Sequence, residues 1–244
     1  MKSTTVILSL VLCVAAVSGE TTPEKISEPV HVTNSTNDYD FNQALVDFVK
    51  GKSVGLWYKL LELLEEMKKD CPTFESEFEK EFQTVRECAE EVKLNTNQTI
   101  CQAVKTHFHT CNKPVRDLLS KCLPPKSRDL PELISKIVLT VFDEACQSTV
   151  EQILELMNPC QFTTDFASHE SCVALRTQIR SYTDTFPTKQ FVCSLIPTIK
   201  KCSNERHVSD CSNPITKRAF ARFHEAIEEA TKELCAAPSK NEIA

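Results

Sequence analysis

Apolar side chains return along much of this chain at the spacing of a helix. Phe74, Phe78, Phe82, Val85, Ala89 and Val92 step by four, four, three, four and three, and Glu75, Glu77, Glu79, Lys80 and Glu81 fill the positions between. One apolar stripe against a charged face predicts an amphipathic helix. Leu56, Leu60, Leu63, Leu64 and Met67 draw a second stripe, which stops at Cys71-Pro72 because the residue before proline is pushed out of the α region. Ile100, Val104 and Phe108 predict a third helix. From Pro131 to Met157 the apolar positions Ile134, Ile137, Val138, Val141, Ala145, Val150, Ile153, Leu154 and Met157 predict one long helix or two joined helices, closing at Asn158-Pro159. Ser168 to Tyr182 and Pro187 to Lys200 follow, the second expected to kink or end at Pro197. In the last helix Ser212 is the expected cap, Pro214 suits the first turn, and Phe220, Phe223, Ile227, Ala230 and Leu234 lead to Cys235, past which the chain should fray.

Glycine usage points the same way. The chain has three glycines, and an all-β fold of this length needs many more turn residues able to take positive φ. The expected fold class is therefore all-α. The start of the chain reads as a secretory leader over 1–19: Lys2, an apolar run from Val6 to Val17, and Val17-Ser18-Gly19 ahead of a cut before Glu20. That run is short for a bilayer crossing, and the longest later one, Ile137 to Phe142, contains Thr140, so no membrane span is expected.

Of thirteen cysteines, Cys13 leaves with the leader, and an even number remains, as expected where every thiol is paired in an oxidising compartment. Cys71, Cys88, Cys101, Cys111, Cys122 and Cys146 form one set, with intervals of 17, 13, 10, 11 and 24. Cys160, Cys172, Cys193, Cys202, Cys211 and Cys235 form another, with intervals of 12, 21, 9, 9 and 24. In both, the fifth cysteine precedes a proline and then a helix that reaches the sixth. The pattern fits two degenerate helical repeats, while the unequal first intervals keep a single domain with coincidental spacing as the alternative. Six cysteines admit 15 pairings, so the spacing leaves connectivity open. The expected organisation is a leader (1–19), a flexible N-terminal arm (20–39), a first six-cysteine unit (40–158), a second (159–236) and a disordered tail (237–244).

Without Lys2 the chain carries 27 basic and 34 acidic side chains, a formal charge of minus seven. The basic residues are interleaved with Glu, as from Glu62 to Lys69, rather than gathered on one face, which excludes a general nucleic-acid binder. Asn34-Ser35-Thr36 and Asn97-Gln98-Thr99 are glycosylation sequons, whereas Asn213 is followed by proline. Asn34 lies in the polar arm and Asn97 between two helical patterns, so both are expected on the surface.

Chemistry is harder to find. The chain has no G-x-S-x-G elbow, no glycine-rich phosphate loop and no H-E-x-x-H, and no metal or cofactor site is expected. On a helix His107 and His109 point about 200° apart, unlike the i, i+4 pair that clamps a metal, so they read as surface histidines. His169-Glu170 and His224-Glu225 are acid–base neighbours in sequence only, since a general base must reach its proton at hydrogen-bond distance in the fold. The phenylalanine stripes read either as ordinary core or as the lining of an apolar ligand cavity.

Insect odorant-binding proteins share the secreted, helical, six-cysteine plan, but they have three residues between the second and third cysteines, and neither set here is that close. Saposin-like domains fail for want of paired C-x-x-C. Through its leader, mass, sequons and the matched runs Cys101, Cys111, Cys122, Cys146 and Cys193, Cys202, Cys211, Cys235, the chain resembles the 27-kilodalton haemolymph glycoproteins secreted by moths. That resemblance implies a circulating haemolymph protein with no established enzymatic activity, so no catalytic residues carry over. The expectation is a secreted, non-enzymatic glycoprotein that acts by binding, its partner a lipid or other apolar small molecule. The alternatives are a secreted protein partner, in humoral immunity or a protease cascade, and a hydrolase with an unfamiliar site.

Overall fold

The computed structural model of the chain describes residues 66–92, 98–156, 158, 160 and 168–238. The leader, the arm with Asn34, the stripe from Leu56 to Leu64, the sequon residue Asn97 and residues 239–244 lie outside them. All regular structure among the described residues is helical. A helical turn over 66–70 ends at Cys71-Pro72, where the proline stops it. Then come α1 (Phe74–Glu91), α2 (Ile100–Cys111), α3 (Lys113–Cys122), a 3₁₀ turn (Pro125–Ser127), α4 (Leu130–Gln147), α5 (Val150–Glu155), α6 (Glu170–Ser181), α7 (Lys189–Asp210) and α8 (Pro214–Ala236). No described helix is long and apolar enough to cross a membrane.

Local chemistry sets the breaks. The stretch from Pro131 divides into two helices because Ser148 is extended and Thr149 caps α5, its hydroxyl accepting from the Gln152 N–H while the Gln152 side chain reaches back to the Thr149 N–H. Thr99 and Gln102 build the same box at α2. The short α3, which the stripes above do not include, begins with Pro114 in its first turn and buries Val115, Leu118 and Cys122.

Three expectations are corrected in the C-terminal half. Pro197 does not end its helix: α7 runs unbroken to Asp210. Cys193 and Cys202 lie on either side of Pro197 and tie α7 to α8 and α6, so tertiary restraints hold the helix across the residue that weakens it. The cap of α8 is Asn213 and not Ser212, because Asn213 directly precedes Pro214, and its Oδ1 accepts from the Ile215 N–H at 2.9 Å. Nor does the chain fray directly after Cys235. The buried Lys189 donates from Nζ to the Ala237 carbonyl at 2.9 Å.

The twelve cysteines pair as Cys71–Cys122, Cys88–Cys111 and Cys101–Cys146, and as Cys160–Cys211, Cys172–Cys202 and Cys193–Cys235. Numbered within its own set, each half joins first to fifth, second to fourth and third to sixth, and no bridge crosses between sets. The first-to-fifth bridge spans 51 positions in both halves. The differences 160 minus 71, 211 minus 122 and 235 minus 146 all equal 89, and so does 188 minus 99, which aligns the capping threonines of α7 and α2. One frame is thus used twice, with α6 in the place of α1, α7 in that of α2 and α3, and α8 in that of α4.

Within the first unit α1 packs on α2 and α3, and both of these pack on α4; in the second, α7 packs on α6 and α8. The final helices of the two units, α4 and α8, pack on each other. Arg222 of α8 pairs there with Glu144 of α4 at 3.0 Å. The α5 helix, which the sequence boundary gives to the first unit, lies against α8, and Glu155 accepts from the fully buried Thr216 hydroxyl.

Candidate functional site

Two places combine burial with chemistry. The first is the apolar core of the first unit. Phe74 and Phe78, four residues apart on α1, face Val115, Leu118 and Cys122 of α3, with Met67, Cys71 and Leu123 closing the ends. The Phe74 and Phe78 rings lie 5.6 Å apart and tilted, a favourable aromatic contact. The ninth buried member of this cluster is Phe186, only 7 % exposed, which arrives from the loop between α6 and α7 of the other unit.

That loop is held by one side chain. Tyr182 donates from Oη to the Phe186 carbonyl at 2.9 Å and accepts from the Thr188 N–H at 3.0 Å, while its ring stacks on Phe191 at 3.8 Å. Thr183, Asp184 and Thr185 are exposed. Asp184 reaches Lys126 of the first unit at 3.9 Å, both side chains being largely in solvent, so this pair contributes little.

The second place is a polar cluster around the C-terminal half of α7. Ser203 Oγ sits 2.7 Å from His224 Nε2 of α8 and 3.0 Å from His207 Nδ1, one turn further along α7. The His207 ring stacks on Phe220 at 4.1 Å. Burial, helped by Arg206 and His224, pulls His207 down to about 4, and burial with Lys200 nearby does the same to His224. Both imidazoles are therefore neutral near pH 7 and too weakly basic to take a proton from the serine with much effect. The arrangement joins α7 to α8 through partly buried polar groups that meet at Ser203. Alongside, Glu205 accepts from the Ser171 hydroxyl and N–H, which holds its carboxyl below the usual range.

The histidines weighed from the sequence fall in different places. His109 is exposed, with Nε2 3.1 Å from the guanidinium of Arg116, which is buried and pairs with Glu132. His169, the residue before α6, is buried and lies 3.4 Å from both Ser209 Oγ and Asp210 Oδ2. Neither it nor His224 uses the glutamate next to it in sequence. Ser203 and His207 carry no motif, and only their i, i+4 spacing on α7 could have pointed to them. Among the described residues no group of three or more His, Cys, Asp or Glu side chains converges as a metal site.

The surface offers charged depressions. One of about 440 Å³ is lined by Lys200, Glu225, Glu228, Glu229 and Lys232, with Lys200 and Glu228 paired at 2.7 Å. Another of about 420 Å³, between α1 and α3, is lined mainly by Glu77, Glu81, Lys113, Asp117 and Lys121. No family model, curated protein or solved structure matches this chain.

Proposed function

We propose that this is a secreted, non-enzymatic glycoprotein that works by binding. The supporting observation is the twice-used disulfide frame, a scaffold suited to an oxidising extracellular compartment and to presenting a fixed surface or cavity. The leader, the sequons at Asn34 and Asn97, and the resemblance to moth haemolymph glycoproteins support circulation in haemolymph. In this reading the buried histidines and Ser203 hold α7 against α8 and take no part in catalysis.

For the bound species an apolar small molecule stands first, because the first unit concentrates Phe74, Phe78, Phe186 and Met67 in one place. A protein partner is the second reading, favoured by the mixed-charge depressions, which suit recognition of another polar surface. Native mass spectrometry and lipid extraction of protein purified from its secretory source separate the two. A stoichiometric apolar adduct supports the carrier. A clean apo mass, with defined extracellular proteins recovered by affinity capture, supports the protein-binding form, and the absence of both would overturn the binding reading altogether.

A further inference from the structure

Phe186 is out of place in the core it fills. The other eight buried members of that cluster, from Met67 to Leu123, belong to the first unit, and the disulfides Cys71–Cys122 and Cys88–Cys111 hold their helices independently of the second. Phe186 enters from outside, on a loop whose neighbouring residues Thr183 to Thr185 face solvent. Withdrawing it breaks no bridge, and of the flanking helices it touches only the Thr188 cap at the start of α7. Besides its own burial, the polar contacts that hold it are those of the Tyr182 hydroxyl, one exposed ion pair and the Thr188 cap. By the shared register of 89, the position equivalent to Phe186 in the first unit is Asn97, a glycosylation sequon, so the repeat itself does not demand an aromatic there.

We infer that Phe186 is a built-in occupant of an apolar socket in the first unit, and that a small apolar molecule with a phenyl-sized group or a hydrocarbon end binds by displacing the 182–188 loop. This rests on the binding reading above and names its site. The socket wall suits such a ligand: Phe74 and Phe78 give aromatic faces, Val115, Leu118 and Leu123 give aliphatic ones, and the unbranched Met67 adapts to irregular shapes. A site lined this way stays dry when vacated and takes up apolar molecules of matching size. The cost of opening is the lost burial of one phenyl ring, the two hydrogen bonds of the Tyr182 hydroxyl and the Thr188 cap, of which an incoming ring replaces the burial in part.

The test uses the full oxidised chain and the neutral fluorescent probe N-phenyl-1-naphthylamine, with hydrogen exchange read over 182–188, α1 and α3. In the wild type, probe binding should be saturable and should speed exchange over 182–188 while leaving α1 and α3 protected. Tyr182→Phe, which removes the hydroxyl latch and keeps the ring, should bind roughly fivefold tighter, and Phe186→Ala about tenfold or more. If Phe186→Ala does not fold, the wild type and Tyr182→Phe decide. Equal affinity in wild type and Tyr182→Phe, or exchange over 182–188 that a saturating probe does not change, would overturn the plug. Protein partners captured alongside such a result would leave the general binding reading standing.

Discussion

The two buried histidines make this protein sensitive to acid in a defined direction. His207 and His224 are held near 4 when folded, and each returns to its ordinary value near 6.5 when the chain unfolds. Between those values the unfolded chain takes up more protons, so the stability these two histidines contribute falls as pH drops from about 6.5 to about 4, and their share levels off below that. Each shift corresponds to at most about 3 kcal/mol. Arg206 beside His207 and Lys200 beside His224 add to the effect of burial, and Asp210 opposes it at His207. Urea unfolding at pH 7 and pH 4.5 should show the loss, and His224→Gln should flatten the difference by roughly half. Leu133, wholly buried in α4, reports on ordinary packing: Leu133→Ala should cost about 2–5 kcal/mol with no pH dependence. At this scale the sequence was only partly legible. Phe74 and Phe78 could be assigned to the core from their spacing, but Phe186 sits in a polar loop with no periodicity, and only the folded chain shows where it goes. Ser203 meets His207 one turn away on the same helix, but the third member, His224, arrives from α8, 21 positions beyond Ser203.

At the scale of elements, the helical stripes carried most of the information, and the misreadings came from residues whose effect depends on neighbours. Proline is read as a helix breaker because it lacks an N–H and crowds the preceding turn. In α7 the bridges at Cys193 and Cys202 hold both flanks, so the helix absorbs the fault. Pro197→Ala should therefore stabilise the protein, by up to about 3 kcal/mol, measured as a rise in the midpoint of chemical denaturation. A fall in the midpoint would mean that the local shape imposed by Pro197 is needed for docking on α6 or α8. The α3 helix was legible in principle, since Val115, Leu118, Leu119 and Cys122 keep helical steps, but it is short, and a stripe of 10 residues is easily passed over. Caps are set by single positions: Ser212 and Asn213 are both good caps, and the proline at 214 decides between them.

At the scale of the whole molecule, the described residues form two copies of one disulfide frame joined without a bridge between them. The cysteine intervals suggested the repeat and could not give its pairing, because spacing constrains which residues are near in sequence and not which thiols meet. Peptide mapping after non-reducing digestion should return six linked pairs, and none should join a cysteine between 71 and 146 to one between 160 and 235. Removing Cys193 and Cys235 together should cost about 4 kcal/mol by the chain-entropy account, and removing Cys88 and Cys111 somewhat less because their loop is shorter. A cross-linked peptide between the sets would contradict the paired frame, and the reverse order of losses would contradict the chain-entropy account of it.

The strict succession of the two cysteine sets also bears on how the protein is made. Every partner of the first frame has been translated by Cys146, before Cys160, and so precedes the second frame in order of emergence. If the chain is secreted as proposed, those of the leading six thiols that close before the trailing set emerges have only their own 15 arrangements to sort through. Vectorial synthesis thus divides one difficult oxidation problem into two smaller ones, solved in the order in which the chain emerges.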